Sequence, residues 1–312
     1  MQYRKLGKTG LQVSEIGMGT WQLGTSEFWG PMDDAEGIRM VHRALELGCN
    51  LFDTAPNYGD TNSERLLGEA LKGRREDAVI VGKFGHVPGG GTDFSVDWMH
   101  ESLSQSLDRL QTDYLDVLLL HNPFPDVQLA ENPIWDAMRQ LQNEGRIRHF
   151  GASVDWAGEV RACLEAGAEV IEVLFSIFHQ DARFAFDAVR KYDAGILTKV
   201  PLDSGWLTGR FDENSVFDGP RARWTSEQIA ERARLVDGLS WLTHGGEKLS
   251  HQAIAYLLSY AEVSSVIPGA HSLSQLEDNL APVGHRLSAD HRLQLERYWD
   301  EFTQQGTKLL PW

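Results

Sequence analysis

Four side chains that can transfer protons follow three short apolar runs. The segment 50–59 (NLFDTAPNYG) brings an apolar run to Asp53 and places Tyr58 after a turn that contains proline. The run 78–82 (AVIVG) leads into Lys83, and the run 114–120 (YLDVLLL) leads into His121. Because parallel strands place their carboxyl ends on the same rim, these four groups are expected to converge on one site.

Together these groups suit acid–base chemistry at a carbonyl carbon. Asp53 is the expected counter-ion of Lys83, and a protonated amine beside a phenol favours phenolate, so the pKa of Tyr58 is expected to lie below its usual value of about 10. Tyr58 could then donate a proton to a carbonyl oxygen as hydride arrives at carbon, and accept one in the reverse reaction. His121 could orient that oxygen. This chemistry requires a hydride carrier.

The elements around these residues predict a single barrel domain over residues 1–312. A β-hairpin around residues 8–10 comes first, and eight strand-then-helix units follow it. Strands that alternate with helices imply a parallel sheet, and eight such units favour an α/β fold of the (β/α)8 TIM-barrel type. Helices are expected at 128–143 and 226–242 among others, and the last one at 272–280; none is predicted beyond it.

Composition excludes several classes of function. The chain has 312 residues, a net charge of −16 and a pI near 5.1, which argues against a nucleic-acid partner and against binding to an anionic membrane. Two cysteines are too few for a disulfide framework, and the N-terminus lacks the apolar core of a signal peptide, so a cytoplasmic location is expected. No apolar run is long enough to span a bilayer.

Six stretches, taken in order along nearly the whole chain, resemble the signatures of the aldo-keto reductase family. They are residues 52–59 with Ser63 and Glu64, 82–83, 120–123, 145–153, 201–209, and 267–270 with Gln275 and Asn279. The resemblance implies a (β/α)8 barrel that binds NADP or, less often, NAD, without a metal. It also implies that Asp53, Tyr58, Lys83 and His121 are the catalytic residues, with Tyr58 as the acid/base.

The same resemblance implies the cofactor-binding residues. Gly19, Thr20, Trp21 and Asp53 would lie near the nicotinamide ribose, Ser153 and Phe175 at the carboxamide, and Phe178 against the nicotinamide ring. Leu202, Ser204, Gly205 and Leu207 would wrap the pyrophosphate, and Gly269, Ala270, His271, Gln275 and Asn279 would hold the adenosine half.

Three departures from the family pattern concern residues that would bind the cofactor. Val154 and Phe175 stand where amides usually bind the carboxamide, and His271 stands where many NADP-dependent members carry Lys or Arg. A weakly basic clamp suits a ribose 2′-hydroxyl better than a phosphate. NADP and NAD are therefore expected with about equal weight.

The substrate is expected to be a small aldehyde, ketone or alcohol, sugars included. Candidate pocket residues are Trp21, Trp29, Tyr58, His86, His121 and Phe124. Two alternatives stay open: a cofactor-sensing interaction subunit with little turnover, and a redox-neutral sugar epimerase that retains its cofactor. The sequence does not decide the preferred cofactor, the direction of reaction, the physiological substrate or the oligomeric state.

Overall fold

A computed structural model describes residues 1–25, 30–304 and 306–311. An antiparallel hairpin comes first, formed by β1 (Tyr3–Lys5) and β2 (Gln12–Ser14) and joined through a 3-10 turn at Gly7–Thr9. No helix in these three ranges has both the length and the apolar character needed to cross a membrane.

Eight parallel strands follow the hairpin in the described residues. They are β3 (Met18–Gly19), β4 (Leu51–Asp53), β5 (Val79–Phe84), β6 (Leu115–His121), β7 (Ile147–Val154), β8 (Val170–Leu174), β9 (Gly195–Lys199) and β10 (Val263–Val266). Each strand pairs in parallel with the next in chain order. Isolated parallel bridges Ile16–Val266 and Gly19–Gly269 join the first strand region to the last, which curls the sheet into a barrel.

Helices cover the outside of this sheet. They are α1 (Asp34–Glu46), α2 (Asn62–Ala70), α3 (Val96–Leu110), α4 (Pro125–Gln128), α5 (Ile134–Asn143), α6 (Ala157–Glu165), α7 (Phe186–Tyr192), α8 (Ser226–Asp237), α9 (Leu249–Leu258), α10 (Leu273–Leu280) and α11 (Ala289–Phe302). Side-chain capping helps to fix where these helices begin, as at the start of α3. There the Ser95 hydroxyl accepts a hydrogen bond from the Trp98 amide at 3.2 Å, which pairs one of the free amide groups of the first helical turn.

The interior of the barrel is apolar at the end where the strands begin. Strand side chains alternate between the two faces of a sheet. One set, which includes Val79, Val81, Val117 and Leu119, packs inside the barrel against Leu6 and Val13 of the hairpin. Other strand residues, such as Ile80 and Leu118, pack outward in the large core shared with the helices. The hairpin therefore plugs the N-terminal end of the barrel.

The predicted fold class and the N-terminal hairpin are confirmed, and the differences are local. The helix expected at 128–143 is divided into α4 and α5, with Pro133 as the N-cap residue of α5. The helix expected at 226–242 ends at Asp237 and is followed by a 3-10 turn at Ser240–Thr243. Helix α11 was not predicted; its buried residues are Leu295 and Trp299, a weak apolar signal in a polar segment.

Candidate active site

The apolar side chains inside the barrel, at the end where the strands begin, form what we call the barrel floor. The alternation of side chains along each strand places polar groups above this floor. Continuing the inward-facing positions along β5 and β6 leads from Val81 to Lys83 and from Leu119 to His121. Asp53 ends β4 in the same way. These residues meet at the C-terminal rim, where barrels of this type carry their active sites.

Lys83 lies at the centre of the group. Its Nζ donates to Asp53 Oδ2 at 2.5 Å and to the Tyr58 hydroxyl at 3.4 Å. Asp53 and Lys83 are almost fully buried, with 3% and 1% of their surfaces exposed. The structure thus brings Lys83 of β5 to the aspartate and the phenol of the segment 50–59.

Tyr58 is held by a tight turn after β4. Its amide donates to the Ala55 carbonyl at 3.1 Å. The next residue, Gly59, has a φ of 56°. A side chain there would approach the Leu23 carbonyl oxygen at 3.2 Å, so glycine suits this turn for both conformation and space.

The pKa of Tyr58 is raised, whereas the sequence predicted that it would be lowered. Burial of the phenol is the largest cause; Lys83 opposes it, and Asp53 raises the pKa further. The prediction considered the lysine but not the loss of solvent around the phenol. Tyr58 is therefore a protonated acid over the physiological pH range.

His121 is a neutral imidazole in this environment. Burial lowers its pKa well below the usual value, and the positive charge of Lys83 adds to that effect. Its ring lies edge-on to Tyr58 with centroids 6.0 Å apart, and to His86 at 4.5 Å. Its Nδ1 is buried with no hydrogen-bond partner in the described part of the chain. A neutral imidazole beside a phenol can hydrogen-bond a carbonyl oxygen.

Glu172 joins the group although the sequence analysis missed it. Its Oε2 lies 3.3 Å from Lys83 Nζ, and its Oε1 accepts a hydrogen bond from Ser153 Oγ at 3.0 Å. It lies on β8 two residues after Val170, which packs in the barrel floor. The sequence signal that could have indicated Glu172 is a single carboxylate in the otherwise apolar strand β8.

Lys199 was missed as well. It ends β9 two residues after Leu197, which lies in the barrel floor, and its Nζ donates to Ser153 Oγ at 3.0 Å and to Asn122 Oδ1 at 2.8 Å. Asp155 Oδ1 lies 2.9 Å from the same nitrogen. Ser153 therefore sits between an ammonium group and the carboxylate of Glu172.

A cavity of about 810 Å³ opens above these residues. It extends from Tyr58, Asp53, His121 and Glu172 at one end to Gln275 and Asn279 at the other. Ligand pockets in proteins occupy a few hundred to about a thousand Å³. This volume is large enough for an extended cofactor together with a small substrate.

The segment after β9 shapes the middle of the cavity. Ser204 and Gly205 have φ values of 53° and 98°, and Asp203 before them is also left-handed. The buried Asp203 carboxylate lies 3.2 Å from His179 Nε2 and 3.4 Å from Arg232 Nε, which anchors the segment.

Arginines surround the same segment. Arg221 Nε donates to the Ser204 carbonyl at 2.8 Å, and Arg223 donates to Ser204 Oγ at 3.4 Å. Burial lowers the pKa of Arg221 to about 10, and its positive neighbours Arg210 and Arg223 contribute. Arg210 and Arg221 line the cavity, so this part of it suits an anion.

The far end of the cavity is lined by polar and paired charged side chains. The His271 amide donates to Gln275 Oε1 at 2.9 Å, and Asn279 Nδ2 donates to the Gly269 carbonyl at 3.1 Å. Lys248 lies on the cavity wall, where its Nζ pairs with Asp278 Oδ1 at 2.5 Å.

Some of the predicted cofactor residues line the cavity and others do not. Those that line the cavity are Gly19, Trp21, Asp53, Leu202, Ser204, Gly205, Gly269, His271, Gln275 and Asn279. Ser153 adjoins it through Glu172 and Lys199. Thr20, Leu207 and Ala270 are buried beside it and do not line it.

Phe175 and Phe178 lie away from the cavity. Both are fully buried in the core between sheet and helices, and neither lines the cavity. Phe175 packs against Phe186 and Tyr260, at centroid distances of 5.5 and 5.2 Å. Phe175 continues the outward-facing alternation of β8, whereas Glu172 faces inward. The contact of either ring with nicotinamide stays a prediction.

The predicted substrate residues likewise fall into those that line the cavity and those that do not. Trp21, Tyr58 and His121 line the cavity. His86 contacts His121, and Phe124 is half exposed at the rim, where it stacks edge-on with Phe94 at 5.7 Å. Trp29 lies outside the described residues. Within those residues, no group of three or more His, Cys, Asp or Glu side chains could hold a metal ion.

Comparison with known proteins places these features in a family. The chain is 30% identical over 295 residues to L-galactose dehydrogenase from Arabidopsis thaliana, covering 91% of this chain and 88% of that protein. It is 31% identical over 317 residues to NADH-specific methylglyoxal reductase from Escherichia coli, covering 93% and 96%.

The fold comparison agrees. The holo form of aldo-keto reductase AKR11C1 from Bacillus halodurans superposes with a TM-score of 0.82 at 28% identity, covering 96% of each chain. The sequence profile of the Aldo/keto reductase family matches residues 15–300. The chain therefore belongs to the aldo/keto reductase family.

Proposed function

We propose that this protein is an NAD(H)-dependent oxidoreductase that interconverts small aldehydes or ketones and alcohols, with Tyr58 as the acid/base. The observation that carries the proposal is the position of the Tyr58 hydroxyl, 3.4 Å from Lys83 Nζ at the base of the large cavity. Family membership supports the reaction class.

The residues of the cavity fit a nicotinamide dinucleotide. The arginines around Ser204 and Gly205 offer charge-assisted donors to a pyrophosphate, and the left-handed backbone at Gly205 allows close approach. Gln275 and Asn279 provide polar groups for the adenosine half. When bound, the dinucleotide supplies or accepts the hydride.

The protein side chains handle the proton and the carbonyl oxygen. In reduction, Tyr58 donates its proton to the oxygen as negative charge develops there. The ammonium of Lys83 stabilises the phenolate that results, and the negative charge buried beside Lys83 keeps this lysine protonated. Neutral His121 holds the oxygen in line with Tyr58 through a hydrogen bond.

The far end of the cavity supports NAD(H) as the proposed cofactor. A 2′-phosphate needs cationic partners, and Lys248 there already pairs with Asp278. Gln275 and Asn279 are neutral. A ribose 2′-hydroxyl is the better match, as in the relative that is named an NADH-specific methylglyoxal reductase.

The substrates proposed are small polar carbonyl compounds, namely 2-oxoaldehydes and aldoses with the corresponding alcohols. Two relatives carry such names, a methylglyoxal reductase and an L-galactose dehydrogenase. Trp21 contributes an aromatic face at the rim of the cavity, near Tyr58 with ring centroids 6.3 Å apart, which suits a sugar or a planar carbonyl.

The proposed acid/base role is tested with Tyr58→Phe. The variant is expected to lose about 10²–10⁴-fold in kcat while binding NADH as the wild type does, because only proton transfer is removed. Tyr192→Phe, on the outer helix α7, is the control. Full turnover by Tyr58→Phe on its best substrate, chosen from a panel of 2-oxoaldehydes and aldoses, would show that the mechanism is wrong.

Cofactor preference is tested by fluorescence titration with NADH and NADPH separately. NADH is expected to bind at least about tenfold more tightly, which corresponds to about 1.4 kcal/mol. Gln275→Arg should move the ratio toward NADPH by adding a cation beside the ribose. Equal or tighter binding of NADPH by the wild type would contradict the NAD(H) assignment.

A further inference from the structure

Lys83 has two buried carboxylate partners. Asp53 Oδ2 lies 2.5 Å from its Nζ and Glu172 Oε2 lies 3.3 Å from it. The three side chains are each at most 5% exposed. A buried ammonium group usually needs one counter-ion, so this site has a second acidic group that the proton-transfer scheme above does not use.

Two ionised carboxylates around one ammonium would leave a net negative charge away from water. Burying an uncompensated charge costs several kcal/mol, whereas taking up a proton removes it. Carboxyl groups that share a site resolve this conflict by keeping a proton between them. We propose that Asp53 and Glu172 together retain one proton at neutral pH, which forms a proton store beside Lys83 and Tyr58.

The two carboxyl groups respond to the site in opposite directions. Burial raises the pKa of Asp53 well above its usual value, and the negative charge of Glu172 raises it further. Burial also opposes ionisation of Glu172, but Lys83 and a hydrogen bond from Asp53 outweigh it, so the pKa of Glu172 is lowered. Since the pair titrates together, the proton belongs to both groups and resides mainly on Asp53.

The other charged and titratable groups at the rim do not remove the excess negative charge that two ionised carboxylates would leave around Lys83. The charge of Lys199 also favours ionised Glu172, but Lys199 has its own counter-ion, Asp155, at 2.9 Å. His121 is neutral because its pKa is lowered well below the usual value. Burial also lowers the pKa of His86. Among the described residues, Lys83 is the cation that forms ion pairs with both carboxyl groups.

This store would act in the proposed reaction, and that part of the inference rests on the proposed function. After Tyr58 has donated its proton, the phenolate takes a proton from Lys83 at 3.4 Å, and Lys83 takes the proton of the carboxyl pair through Asp53 at 2.5 Å. Tyr58 and Lys83 are then as before, and the carboxyl pair has lost one proton. It regains that proton from solvent before the next turnover.

Infrared spectroscopy tests the shared proton directly. A protonated carboxyl group has a C=O stretching band that a carboxylate lacks. The wild type is expected to show this band at neutral pH, and both Asp53→Asn and Glu172→Gln are expected to lose it, since the remaining carboxylate then pairs alone with Lys83. Either variant is sufficient if the other fails to fold.

Glu64→Gln is the matched control. Glu64 is another buried carboxyl whose pKa burial raises, but its partner is Arg109 at 2.7 Å. Its substitution should leave the band of the Asp53–Glu172 pair unchanged. The proposal is wrong if the wild type shows no protonated carboxyl at neutral pH, or if the band persists in both site variants.

The pH dependence of turnover gives a second readout. Without the store, Glu172→Gln should lose carbonyl reduction at lower pH than the wild type, by about one pH unit, or about tenfold in kcat on the falling limb. Superimposable kcat profiles would refute the role in turnover. If the wild type reduces no carbonyl, the proposed function fails, and the infrared result still decides the shared proton.

Discussion

At the scale of residues, the charges around Lys83 determine the protonation of the buried groups beside it. Burial alone would lower the pKa of Lys83, but Asp53 and Glu172 outweigh it and raise that pKa. The raised pKa holds Lys83 in its charged form at neutral pH. The same ammonium lies 3.4 Å from the Tyr58 hydroxyl and pairs with both buried carboxyl groups.

Replacing Lys83 by methionine should expose this dependence. With their cation removed, Asp53 and Glu172 have folded-state pKa values above their unfolded values, so the variant is least affected below about pH 4 and loses stability as pH rises. A loss of about 3–5 kcal/mol is expected at pH 8, and less at pH 5.

Denaturant unfolding at both pH values measures the effect, with the exposed Lys72→Met as the control. The wild type should behave oppositely with respect to Glu172: its lowered pKa contributes stability above the unfolded value of about 4.3, and that contribution is lost as pH falls. A Lys83→Met penalty that is the same at pH 5 and pH 8 would contradict the assigned charges.

At the scale of elements, the fit between β7 and β8 positions Ser153 and Glu172. The two strands are paired so that Gly151 faces Val170 and Ser153 faces Glu172. A side chain at Gly151 would lie 1.7 Å from the Val170 carbonyl oxygen. The glycine thus permits the close approach of two strands that hold the hydroxyl and the carboxylate together.

Gly151→Ala should therefore destabilise the protein by about 1–3 kcal/mol or more, since the backbone must move to admit the methyl group. Gly158→Ala is the matched control: a side chain there meets nothing within 4 Å in α6, and alanine favours helix by about 0.5–1 kcal/mol. Thermal and denaturant unfolding compare the two. The free energy of unfolding is expected to fall in Gly151→Ala and to rise in Gly158→Ala. Equal changes would contradict the inference that Gly151 permits the close approach of the two strands.

At the scale of the whole molecule, the two ends of the barrel have different tasks. The hairpin closes the N-terminal end, where Leu6 is fully buried and Arg4 donates to the Leu258 and Val263 carbonyls at 2.6 Å. The cavity occupies the C-terminal end. Substitutions in the plug should act on stability without altering the C-terminal rim.

Leu6→Ala is expected to cost about 2–5 kcal/mol, because it leaves a void in the barrel floor. Below the unfolding temperature its KM and kcat should match those of the wild type. Leu309→Ala, at a position that is 61% exposed, should have little effect on either property. A change in KM without loss of stability would show that the plug and the rim are coupled.

The sequence determined much of this protein on its own. Alternating strands and helices predicted the barrel, and the order of Asp53, Tyr58, Lys83 and His121 along the chain predicted the group at its rim. These signals are local, because a strand end and the turn after it are readable from a few consecutive residues. The proton-transfer role of Tyr58 remains a prediction until turnover is measured.

Only the tertiary structure decided which way each strand faces and how deeply each group is buried. Shifting a strand by one residue exchanges its two faces, so Glu172 lies in the site while Phe175 lies in the core. Burial also reversed the expected direction of the Tyr58 pKa. Both depend on strand pairing and solvent exclusion across distant segments, which no single stretch of sequence contains.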